Sequence, residues 1–447
     1  MWRKFLALGK IKVITVLVLL AAVVFYTLCY LASIRAAEIF NREIARQHVL
    51  QGTLTVGRLS ANPLGKVSFH DLVWLSPEGE KLAQIPEGYI HVSPWDVVTR
   101  NYSTTMIKSV ELDNAIINLN FNKDMSVKDV DRSKRDVKAV RKNGKRQPVS
   151  KEQWATSKII GQKDFDFRLL LNNCVLTTIY EKRNFTMKDV DADIHLNTRD
   201  KLEINFSSGP FGGTIVAQGL VIKGTVDLKQ QQPVCNLSLN ITECNPASLG
   251  SGIDVHETVS TDASITGTLP DVVIDGALRM EALTIPALDF TNVVGFFHYA
   301  DGLIKASKIT ANVYGGNVDA SGEFNLDTKG YSLDILGHAL KAMIAAHDPK
   351  IRCDVELDVK IRSDGNPKTT LTYGSFTSGA GSYMLVPFES IRGEFKNIDK
   401  VLTFKNVVIT TKFGQVKSDA FQIIRGKLHL DNLYLEDQST GERKQLR

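Results

Sequence analysis

From Ile351 to Ile361 the chain alternates without a break. Ile351, Cys353, Val355, Leu357, Val359 and Ile361 are apolar, and Arg352, Asp354, Glu356, Asp358 and Lys360 stand between them. A period of two sends successive side chains to opposite faces of a strand, so one face must be dry and the other wet. The pattern recurs in Cys235, Leu237, Leu239 and Ile241, in Val190, Ala192, Ile194 and Leu196, and in Ile117, Leu119 and Phe121. About twenty such segments follow Val49, separated by Gly, Asn-Gly-like or Pro-containing turns of the kind that close hairpins. The expected fold class is mainly β.

Charge narrows the partners. Of the formal +5, residues 1–34 hold +4 and residues 123–158 hold +7, which leaves the remainder at −6. A mildly acidic body lacks the basic footprint of a nucleic-acid binder. The five cysteines, Cys29, Cys174, Cys235, Cys244 and Cys353, have no CxxC or zinc-type spacing. No disulfide framework is expected, and a Cys235–Cys244 bridge is left open.

Val13 to Ile34 is a run of 22 residues without a charged side chain. At about 1.5 Å per residue it is long enough to cross a hydrocarbon core of roughly 30 Å. Arg3, Lys4, Lys10 and Lys12 precede it. The positive-inside rule therefore predicts a cytoplasmic tail over 1–12, a transmembrane helix over 13–34, and everything from Arg35 onward across the membrane. A cleaved signal peptide is the rival, but the run exceeds a usual h-region and no A-x-A site closes it. Ile34, Ile39, Ile44 and Ala45 against Arg35, Glu38, Arg42, Glu43 and Arg46 predict an amphipathic exit helix over 35–49.

The remaining sections are an N-terminal β section over 50–122, a charged insertion over 123–158, a repetitive β body over 159–437 and a polar tail over 438–447. The insertion, with Asn143-Gly144 and Pro148, reads as a solvated loop or a short helix pair, and its basic charge suits anionic headgroups as a lesser alternative. In His338 to His347, Leu340, Met343 and Ile344 fall on one helical face, so a helix is expected there. An internal echo pairs Phe211-Gly212-Gly213-Thr214-Ile215 with Tyr314-Gly315-Gly316-Asn317-Val318, and Phe413-Gly414-Gln415-Val416 is a weaker third copy. Paired glycines permit the positive φ of a primed turn, so Gly212, Gly213, Gly315 and Gly316 are read as hairpin glycines.

Strands with one dry face can close on each other as sandwiches, or one sheet can curl into a trough whose dry face lines a groove. Periodicity leaves both open. The aromatic-Gly-Gly hairpins, the phrase Val67-Ser68-Phe69-His70-Asp71-Leu72-Val73 behind the anchor, and Pro387-Phe388-Glu389-Ser390-Ile391-Arg392-Gly393-Glu394-Phe395 running into Leu402 to Thr411 resemble the AsmA/TamB-like envelope proteins of diderm bacteria. The resemblance implies an elongated, strongly curved, U-shaped β-sheet, a taco-like groove with a few short helices. It also implies an inner-membrane anchor with the body in the periplasm, and phospholipid carried between inner and outer membranes. Leu119, Phe121, Ile194, Leu196, Leu237, Leu239, Ile241, Ile351, Val355, Leu357, Val359 and Ile361 are then the candidates for lining the groove. About twenty strands at about 4.8 Å span on the order of 100 Å. That is short for an envelope, which implies a distal outer-membrane or periplasmic partner or self-association.

Catalytic signals are missing from the sequence. The nine histidines form no HExxH, and there is no GxSxG, SxxK or Walker loop and no DxDxDG calcium loop. The expectation is a protein that is not an enzyme and needs no cofactor or metal. Two functions of different class fit. One is a groove that binds or conducts phospholipid; the other is a membrane-tethered scaffold that assists outer-membrane protein assembly through exposed sheet edges.

Overall fold

The structure, a computed structural model, describes Asn41, residues 51–122 except 63, 94 and 97–105, then Val127 and Lys128, and residues 165–446 except 181–182, 231, 250–254, 286–287, 426, 431 and 438–439. Strands make up 73% and helices 3%, so the chain is mainly β, as its alternation predicts. The expected tail 1–12 and span 13–34 lie outside the described residues, as does the exit segment 35–49 apart from Asn41 and the insertion 123–158 apart from Val127 and Lys128. Among the described residues no helix is long and apolar enough to cross a membrane. Asn41 is helical, and its amide brackets Val56: Nδ2 donates to the Val56 carbonyl at 3.0 Å and Oδ1 accepts from the Val56 N–H at 2.9 Å.

The chain divides into two units, Met1–Leu237 and Ser238–Arg447. The principal strands of the first are β1 (Lys66–Leu75), β2 (Lys81–Val92), β3 (Ile107–Asp113), β4 (Ile116–Phe121), β5 (Asp166–Tyr180), β6 (Arg183–Asn197), β7 (Lys201–Ser208) and β8 (Gly219–Asp227). β3 and β4 both pair with β2 on one side and with β5 on the other, and the pairing to β5 is parallel. A parallel pair cannot be closed by a hairpin and needs a long crossover. The stretch from Phe121 to Asp166, which contains the charged insertion, supplies that connection. β5 to β8 then follow in antiparallel order.

In the second unit β9 (Val259–Thr268), β10 (Asp271–Ile285), β11 (Leu288–Ala300), β12 (Leu303–Val313), β13 (Gly316–Asn325), β14 (Tyr331–Lys341), β15 (Asp354–Ser363), β16 (Leu371–Ser378), β17 (Ser390–Ile398), β18 (Val401–Thr411) and β19 (Gly414–Ile424) form an antiparallel meander, each paired with the next. The strand Val234–Cys244 carries the boundary between the units. Of the polar stretch 438–447, Arg443–Gln445 forms a short strand on Tyr434–Glu436.

Turn chemistry explains the hairpins. Val313 pairs with Gly316 across Tyr314 and Gly315, whose φ values of 50° and 71° are those of a type I′ turn. Asp301-Gly302 repeats the geometry at 49° and 77° between Ala300 and Leu303. The echoing Phe211-Gly212-Gly213 is a short strand with Phe211 opposite Met187 of β6, and Phe211 and Ala217 exchange backbone hydrogen bonds at 3.0 and 3.2 Å, so the two glycines enter a wider loop in which Gly213 takes a φ of 112°. Aromatic-Gly-Gly fits either setting, and the neighbouring strand decides which.

The helix expected over 338–347 is corrected. His338 to Lys341 complete β14, and only Ala342–Ala345 is helical. Leu340 is buried while Met343 and Ile344 are exposed, so the three do not share a face. A bulge between Gly337 and Leu340 carries Ala339 at φ 52° and turns Leu340 onto the dry face of the sheet. Cys235 and Cys244 lie on one extended strand, roughly 30 Å apart at about 3.3 Å per residue. They are unbridged, and the four described cysteines are free.

Candidate functional site

Antiparallel partners point to the same face, so the registers assemble the dry face of the second unit row by row. Ile335, Val359, Gly374, Phe395, Phe404 and Phe421 pair in succession from β14 to β19. The adjoining row is Gly337, Leu357, Phe376 and Gly393. Phe404 stacks on Phe421 at 4.8 Å between centroids and meets Phe376 edge-on at 6.0 Å, both favourable aromatic geometries. Towards β10, Val293, Ala311, Val313, Val318 and Leu340 form a buried cluster, against which Leu278, Met280, Ile309, Ile335, Val355 and Leu357 pack.

Burial shows how far the dry face is covered. A sandwich would lay a second sheet about 10 Å above these central positions and bury them. Instead Leu333, Ile335, Val355, Leu357, Ile361, Phe376, Phe395, Phe404 and Phe421 are half-buried, and Val359 is the buried member of its strand. The apolar side chains shield one another, and the outer part of the face stays accessible.

Bulges bend the strands that carry this face. In the second unit Asn292 (φ 53°), Ala339 (52°) and Asn406 (52°) each sit beside a register shift and are followed by an inward residue, Val293, Leu340 and Val407. Asn173 (52°) and Asp189 (49°) do the same in the first unit, where Cys174 and Val190 then face each other. These two are the largest fully buried side chains among the described residues. Two residues opposing one bend a strand and tighten its twist, and the next side chain falls on the inside of the bend. Two of the bulge N–H groups have side-chain acceptors: Glu356 accepts from Ala339 at 2.9 Å, and Asp191 from Asn173 at 2.9 Å.

The opposite face is charged and paired. Arg362–Asp334 (2.6 Å), Lys341–Asp354 (2.8 Å), His338–Glu356 (2.8 Å), His298–Asp275 (2.7 Å) and Arg279–Asp262 (2.9 Å) run along the second unit. Arg168–Asp193 (2.6 Å) and His195 between Asp166 (2.7 Å) and Glu203 (3.2 Å) occupy the first. Exposed pairs of this kind contribute little stability each, but they keep the outer face wet. Hydrogen bonds to Asp166 and then Glu203 push His195 above its ordinary value, and the bond from Arg168 holds Asp193 below the usual carboxylate range. Among the described residues no group of three or more His, Cys, Asp or Glu is disposed to hold a metal.

Val355, Leu357, Val359 and Ile361 share the dry face of β15, opposite Leu340, Gly337, Ile335 and Leu333. Ile351 is separated from them: it pairs with Tyr383 in a small three-stranded sheet of Ile351–Arg352, Gly381–Tyr383 and Val386–Phe388. Ile194 and Leu196 align with Leu169 and Phe167, and Leu119 and Phe121 with Thr178 and Tyr180. Leu237, Leu239 and Ile241 alternate, half-buried, on Val234–Cys244. Sequence reasoning missed the aromatic ladder Phe376, Phe395, Phe404 and Phe421 and the bulge residues. Its available signal was a phase slip in the alternation, as from Phe404 to Val407. Compared with known proteins, the chain matches no family model, and no curated protein or solved structure matches it.

Proposed function

We propose that the dry face is a groove for acyl chains and that the protein binds or conducts phospholipid between two membranes without catalysing a reaction. The half-burial of the row from Ile335 to Phe421 carries this reading: a large apolar surface without a facing layer among the described residues favours an apolar ligand. Each methylene laid on it gains about 0.8 kcal/mol, and a lining of similar Val, Leu, Ile and Phe side chains holds chains without deep traps. Repeated bulges support a sheet curved into a U-shaped section. The apolar run 13–34 is the bilayer anchor in this reading, with residues 1–12 in the cytoplasm and the body in a bacterial periplasm. A distal protein partner or a second copy completes the path.

The test is mass spectrometry of the full chain purified in detergent. Co-purifying phospholipid, displaced when Leu357→Asp is introduced, supports the groove. A lipid-free protein whose dry face is protected from small apolar probes would sink it and leave the assembly scaffold as the better account.

A further inference from the structure

The meander of the second unit sends its turns alternately to two rims, and the rims differ. One holds the connections Ile285 to Leu288, Val313 to Gly316, Lys341 to Asp354, Ser378 to Ser390 and Thr411 to Gly414; the other holds Thr268 to Asp271, Ala300 to Leu303, Asn325 to Tyr331, Ser363 to Leu371 and Ile398 to Val401. Large apolar side chains protrude from the first rim. Leu385 is 96% exposed at the tip of the Tyr383–Val386 turn, Phe413 is 84% exposed at the tip of the next, and Met343, Ile344 and Met384 stand exposed beside them. The second rim carries Asp271, Asp301, Asp327, Asp364 and Asp399 beside Lys329, Lys368 and Lys400, and its most exposed large apolar side chains, Leu269 and Ile398, reach 39%.

We infer that the first rim inserts into the interfacial layer of a phospholipid bilayer. The apolar groups sit on convex turn tips rather than in a groove, so they offer nothing for a helix or strand of a protein partner to fill. The tip backbone is already paired: Tyr383 is opposite Val386, and Met384 N–H donates to the Lys350 carbonyl at 2.8 Å. Lys350, Arg352 and Lys412 lie around the tips, exposed and without an ion-pair partner among the described residues, beside the carboxylates of Asp348, Glu389 and Asp437, the last next to Gly414. Protruding Leu, Met and Phe with Tyr383 match the apolar boundary of such a membrane and its interfacial aromatic belt. This inference does not rest on the groove carrying lipid.

The experiment reconstitutes the full chain in vesicles of phosphatidylethanolamine and phosphatidylglycerol doped with a phospholipid bearing a diazirine in its acyl chain. Photolabelling is mapped by peptide mass spectrometry. Peptides holding residues 383–386 and 412–413 should be labelled at least tenfold above those holding 364–370 and 399–400. The double variant Leu385→Asp, Phe413→Asp should lose tip labelling while labelling around 355–361 and the melting temperature stay unchanged. Equal labelling of the two rims, undiminished tip labelling in the double variant, or tips left unlabelled would overturn the inference.

Discussion

Phe376 lies across Gly393, its antiparallel partner, so closely that a Cβ on Gly393 would fall 2.7 Å from Phe376 Cζ and 2.9 Å from a Val407 methyl. Phe69 covers Gly88 and Phe297 covers Gly276 in the same way, at 2.3 and 2.6 Å from the would-be Cβ. Glycine weakens a strand because it has no side chain to pack. A cross-strand ring laid over its backbone restores the missing cover and flattens the dry face.

Gly393→Ala should therefore destabilise the protein by about 1–3 kcal/mol through overpacking. Gly379→Ala, with open space around its would-be Cβ, should be close to neutral. Urea denaturation of the two variants side by side checks the contrast.

Leu340→Ala removes a buried side chain at the inside of the β14 bend and should cost about 2–5 kcal/mol. Leu357→Asp lies on the same face but half-buried, so it should fold with a smaller loss and show its main effect on bound lipid. Denaturation midpoints together with lipid content per mole of protein separate the two.

Glu356 ties the β14 bulge from the opposite strand, and the bond from the Ala339 N–H, followed by His338, holds its carboxyl below the ordinary range. A depressed pKa means stability that is present above the unfolded value, about 4.5, and is lost as pH falls through the folded one. Melting temperatures of wild type and Glu356→Gln between pH 7 and 3 should converge towards the acid end.

His195 has the opposite sign. Asp166 and Glu203 raise its pKa, so its contribution is complete below the unfolded value, about 6.5, and is lost as pH rises through the folded one. His195→Asn should be less stable than wild type at pH 6, with a difference that shrinks towards pH 9.

Burial pushes the thiols of Cys174, Cys235, Cys244 and Cys353 up, which lowers the thiolate fraction available to react. Ellman's reagent at pH 8 should modify these four slowly in the folded protein and rapidly in urea. Fast modification of any of these four in the native chain, read by peptide mass spectrometry so that Cys29 is kept apart, would contradict their placement.

The mainly β fold was legible because a strand's period of two is local: Val355, Leu357, Val359 and Ile361 against Glu356, Asp358 and Lys360 need no partner to declare two faces. The Asp301-Gly302 turn is equally local, since φ > 0 at both central positions selects such residues. The ladder Phe376, Phe395, Phe404 and Phe421 was not legible, because it exists only once registers across several strands are set. Nor was the reassignment of His338 to Lys341 from helix to strand. There the competing spacing of Leu340, Met343 and Ile344 is real, and pairing with β15 outweighs it.

The amino-acid sequence by itself thus determined that this chain forms many two-faced strands joined by tight turns. Tertiary structure alone decided that the dry face of the second unit stays half-open, bent by Asn292, Ala339 and Asn406, and that apolar turn tips gather on one rim. The physical reason is range: side-chain alternation and turn dihedrals are properties of adjacent residues, whereas bulge position, register and cover of a face depend on which strand lies alongside.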